Sequence, residues 1–300
     1  MREEEVSVIG AGLMGVALVE RLLKSGYRVC VYNRTKCKLD GVVKRGAEVI
    51  GVIDERFFRR GGIWILCLRD EKSIVDVFSG VEREAINNRR LKCREKILVV
   101  NTSTVGYKAS ERLEAFFTAF NIQYVEMPVS GGVEGAQSGR LVGYIGHMPH
   151  ALRRQFRDLV KVLLSDFCCM QSNARAQAMK VINNYCESLH LLVAAEALVL
   201  AENFGVEKNM IGASLALGRG RSVYLELLLK RYMSVSRSIS VPMGIRIKDL
   251  ELAGELFSDL GVPSVFYKHA YELYERVRSS DSKSMDQMEV FDYIFNLARG

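Results

Sequence analysis

The first part of the chain alternates short apolar runs with stretches of helical periodicity. Apolar runs of strand length lie at Val6–Ile9, Arg28–Tyr32, Ile63–Leu68, Lys96–Asn101 and Gln123–Glu126, and two further runs, Leu141–Ile145 and Phe167–Met170, are candidates to extend the same sheet. Helical patterns separate them, as at Met14–Lys24 and Lys108–Phe120. Strands that alternate with helices predict βαβ units and a parallel sheet.

The pattern becomes helical after Ser172-Asn173, which can cap the start of a helix. Residues Ala174–Phe204 read as one long helix that ends at Gly205, a good residue just beyond a helix end. Further helical patterns lie at Glu207–Ala216, Val223–Met233, Ile247–Leu260 and Ser264–Val277. We therefore predict a Rossmann-type α/β domain over residues 1–171 and an all-α domain over residues 172–300, joined by the long helix.

Composition and charge exclude several classes of protein. The chain has 300 residues, of which 49% are hydrophobic and 26% charged, as in an ordinary globular protein. Its net charge of +7 comes from scattered Lys/Arg doublets rather than a cluster, so we expect no nucleic-acid partner. The most apolar stretch, Leu189–Ala201, is shorter than the ~20 residues of a membrane span and contains His190 and Glu196. The seven cysteines form no C-x-x-C pair, and the N-terminus does not resemble a signal peptide; both favour a cytoplasmic location.

A glycine-rich turn follows the first predicted strand. The residues Gly10-Ala11-Gly12-Leu13-Met14-Gly15 form G-x-G-x-x-G between a strand and a helix. In that context Gly10 permits the tight turn, Gly12 lets a pyrophosphate approach the backbone, and Gly15 lets helix and strand pack closely. The turn predicts a dinucleotide site, to which we also assign Leu13 and Met14 at the start of the helix.

The end of the second predicted strand indicates which dinucleotide is bound. NAD-binding proteins usually carry an acid about 20 residues after the glycines, where it holds the ribose 2′-hydroxyl. This chain instead has Asn33-Arg34-Thr35, and its next acid is Asp40. Since Arg34 would attract a 2′-phosphate, with Asn33 and Thr35 offering polar groups beside it, the sequence favours NADP and leaves NAD possible.

Ordered motifs from residue 6 to residue 250 resemble the β-hydroxyacid dehydrogenase family, the relatives of 3-hydroxyisobutyrate dehydrogenase. The glycine turn and Asn33-Arg34-Thr35 resemble its G-x-G-x-M-G and N-R-T motifs. Later matches, in order, are Asn101-Thr102-Ser103-Thr104 to D-x-S-T, the segment Met127–Ala136 to the substrate motif D-A-P-V-S-G-G-x-x-G-A, Lys180-Val181-Ile182-Asn183-Asn184 to K-x-x-N-N, and Lys248-Asp249-Leu250 to K-D-L.

The resemblance implies an NAD(P)-dependent oxidation of a β-hydroxyacid, or the reverse reduction, between a Rossmann-type domain and a helical one. Lys180 would be the catalytic lysine, with Asn184 as its orienting neighbour. Ser130, Gly131 and Gly132 would hold the carboxylate of a small substrate. The remaining residues implied at the cofactor are Leu68, Ser103, Thr104 and Lys248.

The chemistry of these residue types is consistent with that assignment. Hydride transfer at a hydroxyl carbon requires a group that takes or gives the hydroxyl proton, and a partly desolvated lysine can do so. Lys180 and Asn184 are four residues apart and so share one helix face. The Ser-Gly-Gly segment offers a hydroxyl and unshielded backbone N–H groups to a carboxylate.

Some positions depart from the family pattern, and two other functions stay open. Ala174 and Ala176 replace usual glycines, Asn101 replaces a usual acid, and Val241-Pro242 stands where many relatives carry an aromatic residue. Alternatives are an imine or keto-acid reductase and a non-catalytic cofactor-sensing or interaction module. Lys180 argues against both, since imine reductases and the non-catalytic relatives often lack the lysine.

Because Leu189–Leu200 is apolar on several faces, we also expect a homodimer or homotetramer packed through the helical domain.

Overall fold

The computed structural model describes residues 5–88, 97–147, 153–233, 240–280 and 286–298. The chain divides into two compact units, residues 1–180 and 181–300. The division falls inside a long helix that the sequence pattern assigns wholly to the second domain. The predicted boundary at residue 171, where the α/β pattern ends, stays a prediction.

The first unit contains two sheets. The strands are β1 Glu5–Ile9, β2 Arg28–Tyr32, β3 Glu48–Val49, β4 Gly62–Leu66, β5 Ile97–Asn101, β6 Gln123–Glu126, β7 Val129–Ser130, β8 Leu141–Ile145 and β9 Leu164–Cys169. Six of them form a parallel sheet in the order β3-β2-β1-β4-β5-β6, which is the predicted Rossmann-type arrangement. The predicted strand start at Lys96 lies outside the described residues.

The helices of the first unit follow the strands. They are α1 Leu13–Lys24, α2 Asp40–Val43, α3 Glu55–Arg59, α4 Glu71–Asn88, α5 Tyr107–Ala119, α6 Gly132–Ser138 and α7 Arg153–Leu163. The second unit is built of helices, α9 Lys208–Leu217, α10 Val223–Met233, α11 Met243–Leu260, α12 Tyr267–Ser280 and α13 Glu289–Leu297. Helix α8, Asn173–Asn203, belongs to both units.

The parallel sheet is buried on both faces. In β4, Ile63 and Ile65 point into one hydrophobic core, while Trp64 and Leu66 point into the other. Each side chain of the strand is therefore apolar, as expected for parallel strands covered by helices on both sides. The candidate site residues of this sheet accordingly lie at or beyond the strand ends, although β1 also buries Ser7 at its centre.

The expectation that the runs at 141–145 and 167–170 extend the parallel sheet is wrong. Strands β8 and β9 instead pair with the short β7 in a separate sheet of order β7-β8-β9. The physical reason is that β7 pairs antiparallel with β8, Val129 opposite Gly143, immediately after the chain leaves the edge strand β6. Neither β7 nor β3 was foreseen, because two-residue strands carry no periodicity.

The helical unit has its own apolar core. Leu191, Leu198 and Leu225 are buried there together with Leu250 and Tyr274.

The predicted cap of the long helix is confirmed: the Ser172 hydroxyl accepts a hydrogen bond from Arg175 N at 3.2 Å. Across the part of the chain that the structure describes, every helix is too short or too polar to cross a lipid bilayer.

Candidate functional site

The predicted cofactor residues of the first unit gather at one edge of the parallel sheet. Strands β1, β2, β4 and β5 are neighbours, and their carboxyl ends lie side by side. Backbone hydrogen bonds run across this edge, from Gly10 N to Tyr32 O at 2.8 Å and from Cys67 N to Ile9 O at 2.9 Å. The carboxyl ends of parallel strands are where open α/β sheets bind their ligands.

The three glycines of the turn do different things. A Cβ on Gly10 would lie 2.1 Å from Cys67 O, and one on Gly15 would lie 1.9 Å from Gly10 O, so the fold itself requires both glycines. A Cβ on Gly12 would meet nothing within 4 Å. Gly12 therefore faces open space at the start of α1, where a phosphate is attracted by the helix N-terminus. This cradle fits the pyrophosphate of a dinucleotide.

At the end of β2, Asn33 has a structural role, whereas its neighbour Arg34 is exposed. Asn33 uses its side chain internally: its Oδ1 accepts from Ala11 N at 3.0 Å, and its Nδ2 donates to Thr35 O at 2.8 Å. Asn33 thus ties β2 to the glycine turn. Arg34 is exposed, as are Lys36 and Lys38, so this corner presents three cations within five residues.

Ser103 joins the ends of β4 and β5. Its hydroxyl accepts a hydrogen bond from Leu68 N at 2.9 Å, and its own N–H donates to Asn101 Oδ1 at 3.1 Å. Ser103 is buried, whereas Leu68 and Thr104 are half-buried. Ser103 thus connects Leu68, just beyond the end of β4, to the loop after β5, where Thr104 is its neighbour along the chain.

The predicted carboxylate segment requires glycine at two positions. Gly131 and Gly132 have φ values of +125° and +66°, in the region that side-chain-bearing residues rarely adopt. They follow Ser130 at the end of β7 and lead into α6. Successive N–H groups without shielding Cβ atoms can donate to an anion, as the sequence motif predicts.

Glu126, at the end of β6, is a fully buried carboxylate. It accepts hydrogen bonds from the Tyr124 hydroxyl, from Asn101 Nδ2 at 3.1 Å and from Gln177 Nε2 at 2.6 Å. Burial raises the pKa of Glu126 to about 7, and these donors lower it only in part. Asn101 stands opposite Glu126 in the register of β5 and β6. The amide at position 101 therefore avoids two carboxylates facing each other.

Lys180 is 7% exposed on α8, which excludes an ordinary solvated helix lysine. One turn earlier on the same helix, Gln177 is completely buried. Its Oε1 accepts from Val105 N at 3.0 Å and Gly106 N at 3.2 Å, and its Nε2 donates to Ser103 O at 2.8 Å.

Asn184 and Lys248 of the helical unit are held by one carboxylate. Asn184 Nδ2 donates to Asp249 Oδ2 at 2.7 Å, and Lys248 Nζ lies 2.9 Å from Asp249 Oδ1. The buried Arg246 guanidinium donates to Asn184 O at 2.8 Å and to Glu187 Oε2 at 2.9 Å. The side chain of Asn184 thus has a fixed orientation within this unit.

Sequence reasoning missed the residues that hold the site residues in place. These are Glu126, Gln177, Arg246 and Asp249. Three of them had a usable signal: Asp249 lies inside the quoted K-D-L motif, Glu126 stands at the acid that opens the quoted D-A-P-V-S-G-G motif, and Gln177 is the one polar residue between Ala176 and Lys180. Arg246 gave none, because an isolated charged residue beside an apolar run is usually read as a solvated position.

Comparisons with known proteins cover nearly the whole chain. Residues 5–165 match the family model described as the NAD binding domain of 6-phosphogluconate dehydrogenase. Residues 174–294 match the model described as the NAD-binding region of NADP-dependent 3-hydroxyisobutyrate dehydrogenase. Both models describe NAD(P)-binding dehydrogenases.

Individual relatives agree with the family models. The 2-(hydroxymethyl)glutarate dehydrogenase of Eubacterium barkeri is 24% identical over 92% of this chain and 89% of its own length. The structure of Psf3 in complex with NADP+ and 2-OPP is 30% identical, with a TM-score of 0.85 over 96% of this chain and 99% of Psf3. The cytokine-like nuclear factor N-PAC of Homo sapiens is 26% identical over 96% of this chain, which spans 51% of N-PAC.

The glycine turn yields the first prediction. Gly12→Ala should leave the thermal unfolding of the ligand-free protein nearly unchanged, because the new methyl meets open space, but it should weaken NADP binding by obstructing the phosphate. Gly15→Ala should lower the unfolding temperature instead, because its methyl collides with Gly10 O. Calorimetric unfolding and NADP titration measure the two effects. Normal NADP affinity in a folded Gly12→Ala protein would contradict the assignment.

The raised pKa of Glu126 yields the second prediction, which concerns the dependence of stability on pH. Because the folded-state pKa lies near 7, above the ordinary 4.5, the stabilisation that Glu126 contributes is present at low pH and lost as pH rises through 7. Between pH 5 and pH 8 the wild type should lose about 2–3 kcal/mol more unfolding free energy than Glu126→Gln. Urea unfolding across that range measures the difference, and the exposed Glu111→Gln on α5 is the control. Parallel pH profiles for Glu126→Gln and the wild type would refute a raised pKa.

Proposed function

Because the chain belongs to the β-hydroxyacid dehydrogenase family of NAD(P)-dependent oxidoreductases, we propose that it interconverts a small β-hydroxyacid or 3-hydroxy amino acid and the corresponding carbonyl acid. The observation that carries the proposal is the burial of Lys180 within a chain that keeps the ordered family motifs. A desolvated lysine is suited to exchanging the proton of a substrate hydroxyl.

The roles follow from the chemistry of each group. The nicotinamide cofactor, when bound, accepts or returns the hydride. In the oxidation direction Lys180 takes the hydroxyl proton as charge builds on the substrate oxygen, and in reduction it returns that proton. Ser130, Gly131 and Gly132 hold the substrate carboxylate through a hydroxyl and backbone N–H groups. Asn184, held by Asp249, lies one helical turn beyond Lys180 and orients it.

NADP is the proposed preferred cofactor, with NAD as the weaker one. The support is the exposed Arg34 at the end of β2, where the segment Asn33-Arg34-Thr35 offers a cation in place of the acid that would hold a 2′-hydroxyl. The complex of Psf3 with NADP+ is consistent with this choice. Lys248 is proposed to reach the cofactor, as the K-D-L resemblance implies.

Lys180 also separates this proposal from its alternatives. An imine or keto-acid reductase on the same fold would not depend on the lysine, and a non-catalytic module would show no turnover. Because the chain is similar to the cytokine-like nuclear factor N-PAC, the non-catalytic module is an alternative that the experiment has to test. Loss of turnover on removal of Lys180 alone would exclude both.

We also propose that the protein assembles as a homodimer or homotetramer through its helical unit. Val193 and Leu200 are 65% and 73% exposed on one stripe of α8, and Phe204, directly after the helix, is 86% exposed. A soluble surface rarely leaves such a stripe uncovered. Light scattering at micromolar concentration should give a mass of two or four chains, and Leu200→Lys should reduce it. A wild-type monomer would refute the assembly.

The activity is tested with a panel of acids. 3-Hydroxyisobutyrate, L-serine, L-threonine and 2-(hydroxymethyl)glutarate are offered with NADP and with NAD, and cofactor reduction is followed by absorbance. Lys180→Ala should lower kcat on the best substrate by about 10²–10⁴-fold with NADP affinity nearly intact. Asn184→Ala should cost less, and Ser130→Ala should raise KM more than it lowers kcat. The exposed Lys161→Ala is the control; near-normal kcat in Lys180→Ala would refute the mechanism.

The cofactor preference is tested at Arg34. Arg34→Asp removes the cation and introduces repulsion, so NADP affinity should fall by roughly ten- to a hundredfold, since a charge-assisted hydrogen bond contributes ~1.5–3 kcal/mol. NAD affinity should stay the same or improve. Arg154→Asp, an exposed change on α7, controls for net charge. Unchanged NADP binding in Arg34→Asp would show that another residue reads the phosphate.

A further inference from the structure

The side-chain amide of Gln177 makes four hydrogen bonds within the first unit. They use all of its hydrogen-bonding capacity, because Oε1 accepts from two backbone N–H groups and Nε2 donates to two acceptors. The side chain is completely buried. Its orientation is therefore fixed by two separate segments of the first unit, the loop after β5 and the end of β6.

The hydrogen bond from Gln177 to Glu126 is strengthened by the negative charge that Glu126 can carry. Above about pH 7, where Glu126 is ionised, a hydrogen bond to its carboxylate is roughly twice as strong as one between neutral groups. The bond from Gln177 Nε2 to Glu126 Oε2 is 2.6 Å long, and Glu126 is in turn held by Tyr124 and Asn101. Moving Gln177 would leave a buried carboxylate without one of its donors, which is costly.

The linked segments are those that carry the candidate site residues. Ser103 and Thr104 lie in the loop that Gln177 holds, and Ser130 follows Glu126 along the chain by four residues. Lys180 follows Gln177 by three residues on α8, so the two side chains share a helix face. A change in the position of Gln177 would be transmitted directly to Lys180.

We propose that Gln177, held by Glu126, is a positioning residue that fixes Lys180 relative to the Ser103–Thr104 loop and the Ser130–Gly132 segment. The proposal rests on the proposed role of Lys180. It differs from a purely structural role, in which the same bonds would stabilise the fold without affecting the placement of the lysine amine.

Asn173 provides the matched control. It is also buried on α8, and its side-chain amide also bonds backbone groups, Glu126 N at 2.9 Å and His147 N at 3.3 Å. It does not bond the loop that carries Ser103 in the hydrogen bonds recorded for the described residues. Asn173→Ala should therefore lower the unfolding temperature as Gln177→Met does, with much less effect on Lys180.

The first measurement is kinetic. Gln177→Met should lower kcat on the best acid of the panel by roughly tenfold or more, because small misplacements of a catalytic group are expensive. Asn173→Ala should keep most of kcat. In the Lys180→Ala background, Gln177→Met should add little further loss, because the group it positions is absent. Full additivity would overturn the positioning role.

The second measurement needs no turnover. Competitive acetylation with acetic anhydride, followed by peptide mass spectrometry, gives the reactivity of Lys180 against pH. Gln177→Met should change this profile, whereas Asn173→Ala should keep the wild-type profile. An unchanged Lys180 profile in a folded Gln177→Met protein would overturn the proposal. If Lys180→Ala is fully active but the profile does respond to Gln177→Met, the positioning holds and the proposed catalytic role of Lys180 is what fails.

Discussion

Burial of the parallel sheet on both faces determines where this protein can carry polar chemistry. The strands present apolar side chains to helices on each side, as Ile65 and Leu66 do in β4. A polar group within such a strand would need a partner that the strand cannot supply. The chain places the polar side chains of the candidate site just beyond the carboxyl ends, where Asn33 and Ser103 pair with backbone groups and Gln177 of α8 donates to Ser103 O. The candidate site is built from the same positions.

A single buried carboxylate organises one side of this edge. Asn101 and Glu126 face each other in register, so an acid at both positions would bring two carboxylates together in a dry environment. The amide at 101 resolves this by donating to Glu126 through Nδ2 and accepting from Ser103 N through Oδ1. The amide at position 101 thus connects Glu126 to the Ser103 loop through its two ends.

Much of the fold could be predicted from the sequence because its signals are local. The five predicted strands of the parallel sheet, the cap at Ser172 and the end of the long helix all follow from apolar runs and capping residues. The second sheet could not be predicted, since β7 has two residues and its pairing with β8 is a tertiary event. Ordered motifs also indicated Lys180 and the glycine turn. They did not indicate the roles of Arg246 and Glu126, which depend on burial that a single sequence does not show.

The spacing of Lys180 and Asn184 is a property of α8 alone, whereas the orientation of each side chain has a different origin. The backbone of α8 sets one turn between the two residues, about 6 Å along the helix axis. Gln177 connects the turn that carries Lys180 to strand ends of the first unit, and Asp249 holds the amide of Asn184 within the second. A continuous helix is the simplest way to keep two such residues in register, because its hydrogen bonds resist a change of length between them.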